Sequence, residues 1–129
     1  MPRPTSTRPT DSELEILGVL WDKGPATVRE IHEELSIRKP TGYTTVLKFM
    51  QIMMDKGLLT RSEQHRVHVY ESAVPREATQ SELVRDLAQR AFGGSALELA
   101  MRALESNRAT PGDLERIRQL LDLAEKGRR

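Results

Sequence analysis

The spacing of apolar residues changes abruptly at Gly57, and that change restricts the fold more than any other feature of the chain. Before Gly57 the apolar positions recur in three blocks at the 3.6-residue period of a helix. After it they alternate, as in a half-buried strand. The first block opens at Thr10, a candidate N-cap with Glu13 three residues on. It carries Leu14, Leu17 and Trp21, widened by Ile16 and Leu20, and stops at Gly24-Pro25. A second Thr/Glu pair, Thr27 and Glu30, starts a short block with Val28, Ile31 and Leu35, which residues 36–40 terminate. The third runs from Thr41 or Gly42 to Lys56. Beyond Gly57, Leu58–Ser62 and Val67–Glu71 read as two strands joined by the polar turn Glu63–Arg66. Three helices and a hairpin in this order, in about 63 residues, are the layout of a winged helix-turn-helix.

The rest reads as helical. A segment over about 76–92 carries Leu83, Val84, Leu87, Ala91 and Phe92 and ends at Gly93-Gly94. Ser95 can cap a second helix with Leu97, Leu99, Met101 and Leu104. Thr110-Pro111 opens a third with Leu114, Ile117, Leu120, Leu121 and Leu123. The expected fold is therefore mainly α with a small β-hairpin wing. Residues 1–9 form a flexible arm, 10–74 a winged-helix domain and 75–129 a three-helix tail.

Composition narrows function by exclusion. There is no cysteine among the 129 residues, which removes disulfides, thiol catalysis and thiolate metal sites and suits a reducing cytoplasm. No apolar run approaches the roughly 18 residues of a membrane span, and the arm has no apolar stretch of a signal peptide. His32 lies among charges and is expected to face solvent. His65 and His68, three apart on a strand, point to opposite faces and do not share a metal. No Gly-rich elbow or acid/base pair marks an enzyme. Neither catalysis, metal nor cofactor is expected.

The net charge of +1 says nothing about partners, but its distribution does. Residues 11–35 hold two Lys/Arg against seven acids, a net −5, whereas residues 36–70 hold six (Arg38, Lys39, Lys48, Lys56, Arg61, Arg66) against two, a net +4. At 100° per residue, Tyr43, Val46, Leu47, Met50, Met53 and Met54 share one side of the third helix and form its core face. Thr41, Thr44, Lys48, Gln51 and Asp55 share the other, with Thr45 and Ile52 at its edge. Threonine is a poor helix former, so its abundance at an outward helix start points elsewhere. A major groove admits one helix and is read by side chains near its N-terminus. The candidate DNA contacts are Thr41, Tyr43, Thr44, Thr45 and Lys48 on this helix, Arg38 and Lys39 before it, and His65 and Arg66 at the wing tip.

The stretch Pro9–Leu17 with Leu20-Trp21, the segments Thr27–Ile31, Tyr43–Val46 and Lys56–Leu59, and the wing end Arg66–Tyr70 resemble the penicillinase repressor family (BlaI/MecI/CopY) in order and spacing. The resemblance implies a homodimeric repressor bound to inverted-repeat operators, with the tail as dimerisation domain. The tail's apolar residues are too thinly spread for a monomeric core and fit two chains sharing one. Candidate interface residues are Leu83, Leu87, Leu97, Met101, Leu104, Leu114, Ile117, Leu120 and Leu121. In that family a membrane sensor system often relieves repression through cleavage of an Asn-Phe bond in the tail. The corresponding place here reads Arg102-Ala103, and the Cys pairs of the copper-responsive branch are absent. The alternative is a winged helix that binds protein rather than DNA, for which Phe49 and Ile52 beside the Thr/Lys face are the pertinent residues.

Overall fold

The computed structural model of the chain describes residues 8–127. The expected arm lies outside the described residues except for its last two. The described residues form α1 (Asp11–Lys23), α2 (Val28–Arg38), α3 (Tyr43–Asp55), an antiparallel hairpin of β1 (Leu59–Gln64) and β2 (Val67–Ser72), then α4 (Arg76–Ala91), α5 (Ala96–Ser106) and α6 (Pro111–Lys126). Packing divides the chain into a unit ending at Thr79 and a second beginning at Gln80.

Both Thr/Glu pairs make reciprocal capping boxes. Thr10 and Thr27 accept from the N–H of Glu13 and Glu30, and each glutamate accepts in return from the threonine N–H at 2.9 Å. At Glu30 the Thr27 bonds hold the carboxyl below the usual carboxylate range. The helix starts follow from sequence because a cap needs only residues three apart. Thr110 and Asp113 make a third box at α6, with Pro111 behind the cap.

In the first unit, Ile16, Leu17 and Leu20 of α1, Val28, Ile31 and Leu35 of α2, Val46, Met50 and Met53 of α3, and Leu58, Leu59 and Tyr70 from the hairpin base form one core. Burial of such side chains, about 1.5–3 kcal/mol each, is the main stabilising term. Leu14 and Trp21 pack only at its margin, so the buried stripe of α1 is narrower than its apolar stripe. Trp21 also acts as a tie. Its indole N–H donates to the Ser72 hydroxyl at 3.1 Å and the Val74 carbonyl at 3.0 Å, joining α1 to the end of the hairpin.

The hairpin pairs Leu59 with Ser72 through Gln64 with Val67, so the strands run one to two residues beyond the alternating pattern and the turn shrinks to His65-Arg66. Only Leu59 and Tyr70 are buried in it; Val67, beside the turn, is exposed. Ala26 exchanges backbone bonds with Tyr70 at 2.8 and 2.9 Å, a one-residue third strand. A single bridging residue has no period and leaves no sequence signature. The arrangement is a winged helix-turn-helix.

Lys56 departs from expectation. Counted by sequence in the positive charge of residues 36–70, it lies inside, its Nζ 2.6 Å from Glu13 Oε1 and 2.9 Å from the Arg8 carbonyl. The Glu13 side chain is 2 % exposed and that of Lys56 10 %. Burial pushes the Glu13 carboxyl up, but the Lys56 ammonium and the Thr10 donors together outweigh it and hold the group below its ordinary value of 4.5. Removing one member of a buried pair strands the other charge, at about 3–5 kcal/mol. Lys56→Met is therefore expected to lower unfolding free energy by about that much in denaturant titration, and adding Glu13→Gln to recover a large part. Because the folded carboxyl is the stronger acid, its contribution is intact above pH 4.5 and fades as pH falls through the depressed folded value. The double variant is expected to lack that component of acid sensitivity.

Candidate nucleic-acid interface

Pro40 confines Lys39 to extended backbone, at φ −155° and ψ 145°, and ends α2 there. The chain turns through Thr41 and re-enters a helix at Gly42. Helix α3 thus starts at Tyr43, two residues later than the earliest start compatible with the pattern. Thr41 precedes the helix: its hydroxyl donates to the Lys39 carbonyl at 3.0 Å and its own carbonyl accepts from α2. Its expected place on the outward face of α3 is therefore corrected to a place in the turn.

Gly42 is the N-cap of α3 and offers no side-chain hydrogen bond, in contrast to the Thr or Ser caps of α1, α2, α5 and α6. The N–H groups of the first turn of α3 are left uncapped, with the positive end of the helix dipole behind them. Thr44, Thr45 and Lys48 are exposed on the first turns, followed by Gln51, Ile52 and Asp55. Val46, Met50 and Met53 face inward, with Leu47, Phe49 and Met54 half-buried. Tyr43, assigned by periodicity to the core face, is 47 % exposed. At the first position of a helix there is no preceding turn for its ring to pack on. It stands edge-on to His32, centroids 5.7 Å apart.

His32 does not project freely into solvent as its charged neighbours suggest. It is half-buried, and its Nε2 lies 2.6 Å from the Thr41 carbonyl. The partner sits nine residues away across a proline turn, outside the reach of helical periodicity.

Among the described residues, Arg38, Lys39, Lys48, Arg61 and Arg66 are exposed and form no ion pair, while Lys23, Arg29, Lys56 and Arg76 each have a carboxylate partner. Subtracting Lys56 leaves a basic set that flanks the start of α3 and runs along the hairpin. His65 and Arg66 occupy the hairpin turn with φ of 51° and 66°. Two positive φ values mark a type I′ turn, where Asn-Gly is the favoured pair. A non-glycine residue held there costs on the order of 1–3 kcal/mol.

In the second unit only Ala88 is fully buried among the described residues. Leu83 and Ile117 are half-buried; Leu87, Met101, Leu104, Leu114 and Leu121 are exposed, and Leu97 and Leu120 stand 69 % and 66 % open. The Arg102-Ala103 bond lies within α5. No described helix is long and apolar enough to cross a membrane, and no described group of three or more His, Asp or Glu residues is placed to hold a metal ion.

This is a winged helix-turn-helix with an uncapped, Thr/Lys-faced second helix of the motif and unpaired cations beside it. The profile of the Penicillinase repressor family matches residues 9–123. The chain belongs to that family. It is 36 % identical over 91 residues to the transcriptional regulator BlaI of Mycobacterium tuberculosis, a match covering 69 % of this chain and 66 % of that protein, just under two thirds of its length. It is 20 % identical over 113 residues to the methicillin resistance regulatory protein MecI of Staphylococcus aureus, covering 88 % and 92 %. The solution structure of the monomeric form of Bacillus licheniformis BlaI in complex with the blaP half-operator aligns with a TM-score of 0.45 and 24 % identity, over 59 % of this chain and 87 % of that one.

Replacing His65-Arg66 by Asn-Gly is expected to relieve the turn and raise thermal stability, by about 1 kcal/mol or more. The same change removes a cation from the wing tip, so DNA affinity is expected to fall while the melting temperature rises. Parallel melting curves and binding titrations check both directions.

Proposed function

We propose that the chain is a sequence-specific DNA-binding transcriptional repressor that binds inverted-repeat operators as a homodimer, with α3 in the major groove. The observation that carries this reading is the uncapped start of α3. Gly42 at φ −72° is in a conformation any residue adopts, and a Cβ there would meet only Thr45 Oγ1 at an ordinary 3.5 Å. A capping side chain would fit, yet none is present. Free helix N–H groups suit an approaching phosphate, and the neighbouring Thr44, Thr45 and Lys48 offer hydroxyl, methyl and ammonium groups to base edges and backbone. Arg38 and Lys39 before α3, and Arg61, His65 and Arg66 on the wing, are proposed to meet sugar-phosphate on either side. Tyr43 is retained as a contact because of its exposure, and Thr41 as a turn residue within reach of the backbone.

The exposed apolar faces of α4–α6 support the homodimer. A second copy would cover Leu87, Leu97, Met101, Leu104, Leu114, Leu120 and Leu121, with Leu83 and Ile117 at the base of the shared core, and would double the DNA contacts to match a palindrome. Such a repressor acts in the cytoplasm and performs no chemistry. Release through a membrane sensor system, as in the family, would require a cut in the tail. At Arg102-Ala103 that demands local unwinding of α5, since helical backbone resists cleavage until it opens.

Thr44→Ala and Lys48→Ala are expected to weaken binding to a selected duplex by about five- to 150-fold each, at about 1–3 kcal/mol per base contact. Their melting temperatures should not fall, because both residues are exposed on the outward face of α3. Affinity is expected to drop steeply with salt as counterions are released; a flat response would favour the protein-binding alternative. Gly42→Asp is expected to cap α3 and stabilise the fold by a few tenths of a kcal/mol. Its carboxylate would weaken DNA binding, and gel-shift titration beside thermal melting separates the two effects. A chain ending at Thr79, which keeps the Val74 carbonyl on Trp21, is expected to be monomeric in sedimentation and to bind DNA weakly.

A further inference from the structure

We propose that His32 is a positioning residue for DNA recognition: as the Nε2–H tautomer it donates to the Thr41 carbonyl and so fixes where α3 begins. The inference rests on the reading of α3 as the DNA-contacting helix. Every other helix with a defined N-cap here has its first turn held by its own Ser or Thr, and α3 is the exception. Among the described residues, the side chains of α2 that hydrogen-bond to the turn before it are His32 and Ser36. Both address the Thr41 carbonyl, His32 Nε2 at 2.6 Å and Ser36 Oγ at 3.5 Å. The first is a short bond and the second lies at the limit of one, so the imidazole dominates. A carbonyl only accepts, which requires the proton on Nε2.

The choice of acceptor matters. An ordinary cap consumes an N–H of the first turn, whereas a bond to the carbonyl of the residue before Gly42 leaves those N–H groups for an outside ligand. The same imidazole meets the Tyr43 ring edge-on at 5.7 Å, so it touches the chain on both sides of Gly42. Backbone on one side and a ring on the other define both the position and the rotation of the start of α3. Loss of one hydrogen bond is sufficient for a change in affinity of up to about tenfold if binding demands the fixed start.

The test uses the full-length protein and three variants. Gln places an amide N–H near the position of Nε2, Phe keeps the ring without a donor, and Ser36→Ala removes the weaker donor. In the wild type, ring 15N spectra of the neutral imidazole should show the Nε2–H tautomer; the Nδ1–H tautomer would overturn the proposal. Amide exchange at Val46, whose N–H makes the first bond of α3 to the Gly42 carbonyl at 3.1 Å, should quicken several-fold in His32→Phe. It should stay near wild type in His32→Gln and Ser36→Ala. Unchanged exchange in His32→Phe overturns the positioning role whatever DNA does. With a duplex selected from a random pool by the wild-type protein, His32→Phe should lose about tenfold in affinity, and His32→Gln should recover most of it. Equal affinities of Phe and wild type refute the link to recognition. If Thr44→Ala and Lys48→Ala also bind as wild type, the reading of α3 itself fails, while tautomer and exchange still decide what His32 does.

Discussion

The pair formed by Glu13 and Lys56 ties together three parts of the first unit. Glu13 is the third residue of α1 and half of its capping box; Lys56 is the C-cap of α3 and directly precedes Gly57. At φ 80°, Gly57 takes the left-handed conformation that sends the chain from α3 into β1. One buried ion pair thus joins the start of the first helix, the end of the third and the root of the wing. A buried charge is tolerated only when satisfied. Here the carboxylate accepts from Lys56 and from Thr10, and no described buried polar side-chain atom lacks a partner.

That internal use of a cation sharpens the separation between charges paired within the protein and charges left open. Lys23, Arg29, Lys56 and Arg76 answer carboxylates within the protein. The five unpaired cations between residues 38 and 66 flank α3 or lie on the hairpin. The local rules of stability lapse in the same region: α3 lacks a capping side chain, and His65 and Arg66 occupy a turn suited to Asn-Gly. Each lapse costs stability and leaves a donor or a cation exposed, a pattern associated with binding surfaces rather than cores.

The sequence was legible wherever the determining partners lie within a few residues. Both Thr/Glu boxes, the Gly24 and Gly57 stops and the period change at Gly57 predict elements that the structure contains. The exposed placement of Thr44, Thr45 and Lys48 follows from helical geometry alone. What escaped depends on neighbours distant in sequence. Glu13 and Lys56 lie 43 positions apart, Trp21 and Val74 53, and the Ala26–Tyr70 bridge joins a loop to a strand. His32 and Tyr43 were misplaced for a related reason. Periodicity assigns faces only within a helix, and both act where one helix ends and the next begins. In the tail, the apolar pattern locates three helices, but helical period alone does not say what their exposed apolar faces meet.

The underside of α3 has mechanical consequences. Of its three fully buried residues, two are methionines, Met50 and Met53, with Met54 half-buried beside them. Unbranched thioether chains have more rotatable bonds than leucine or isoleucine and refill a cavity when their neighbours shift. With its start held as proposed and its middle on such a bed, α3 can shift slightly while the side chains beneath it refill the space. In the proposed complex, a helix seated that way would follow small differences in groove width from one binding site to the next, with the elasticity supplied by the protein rather than the DNA.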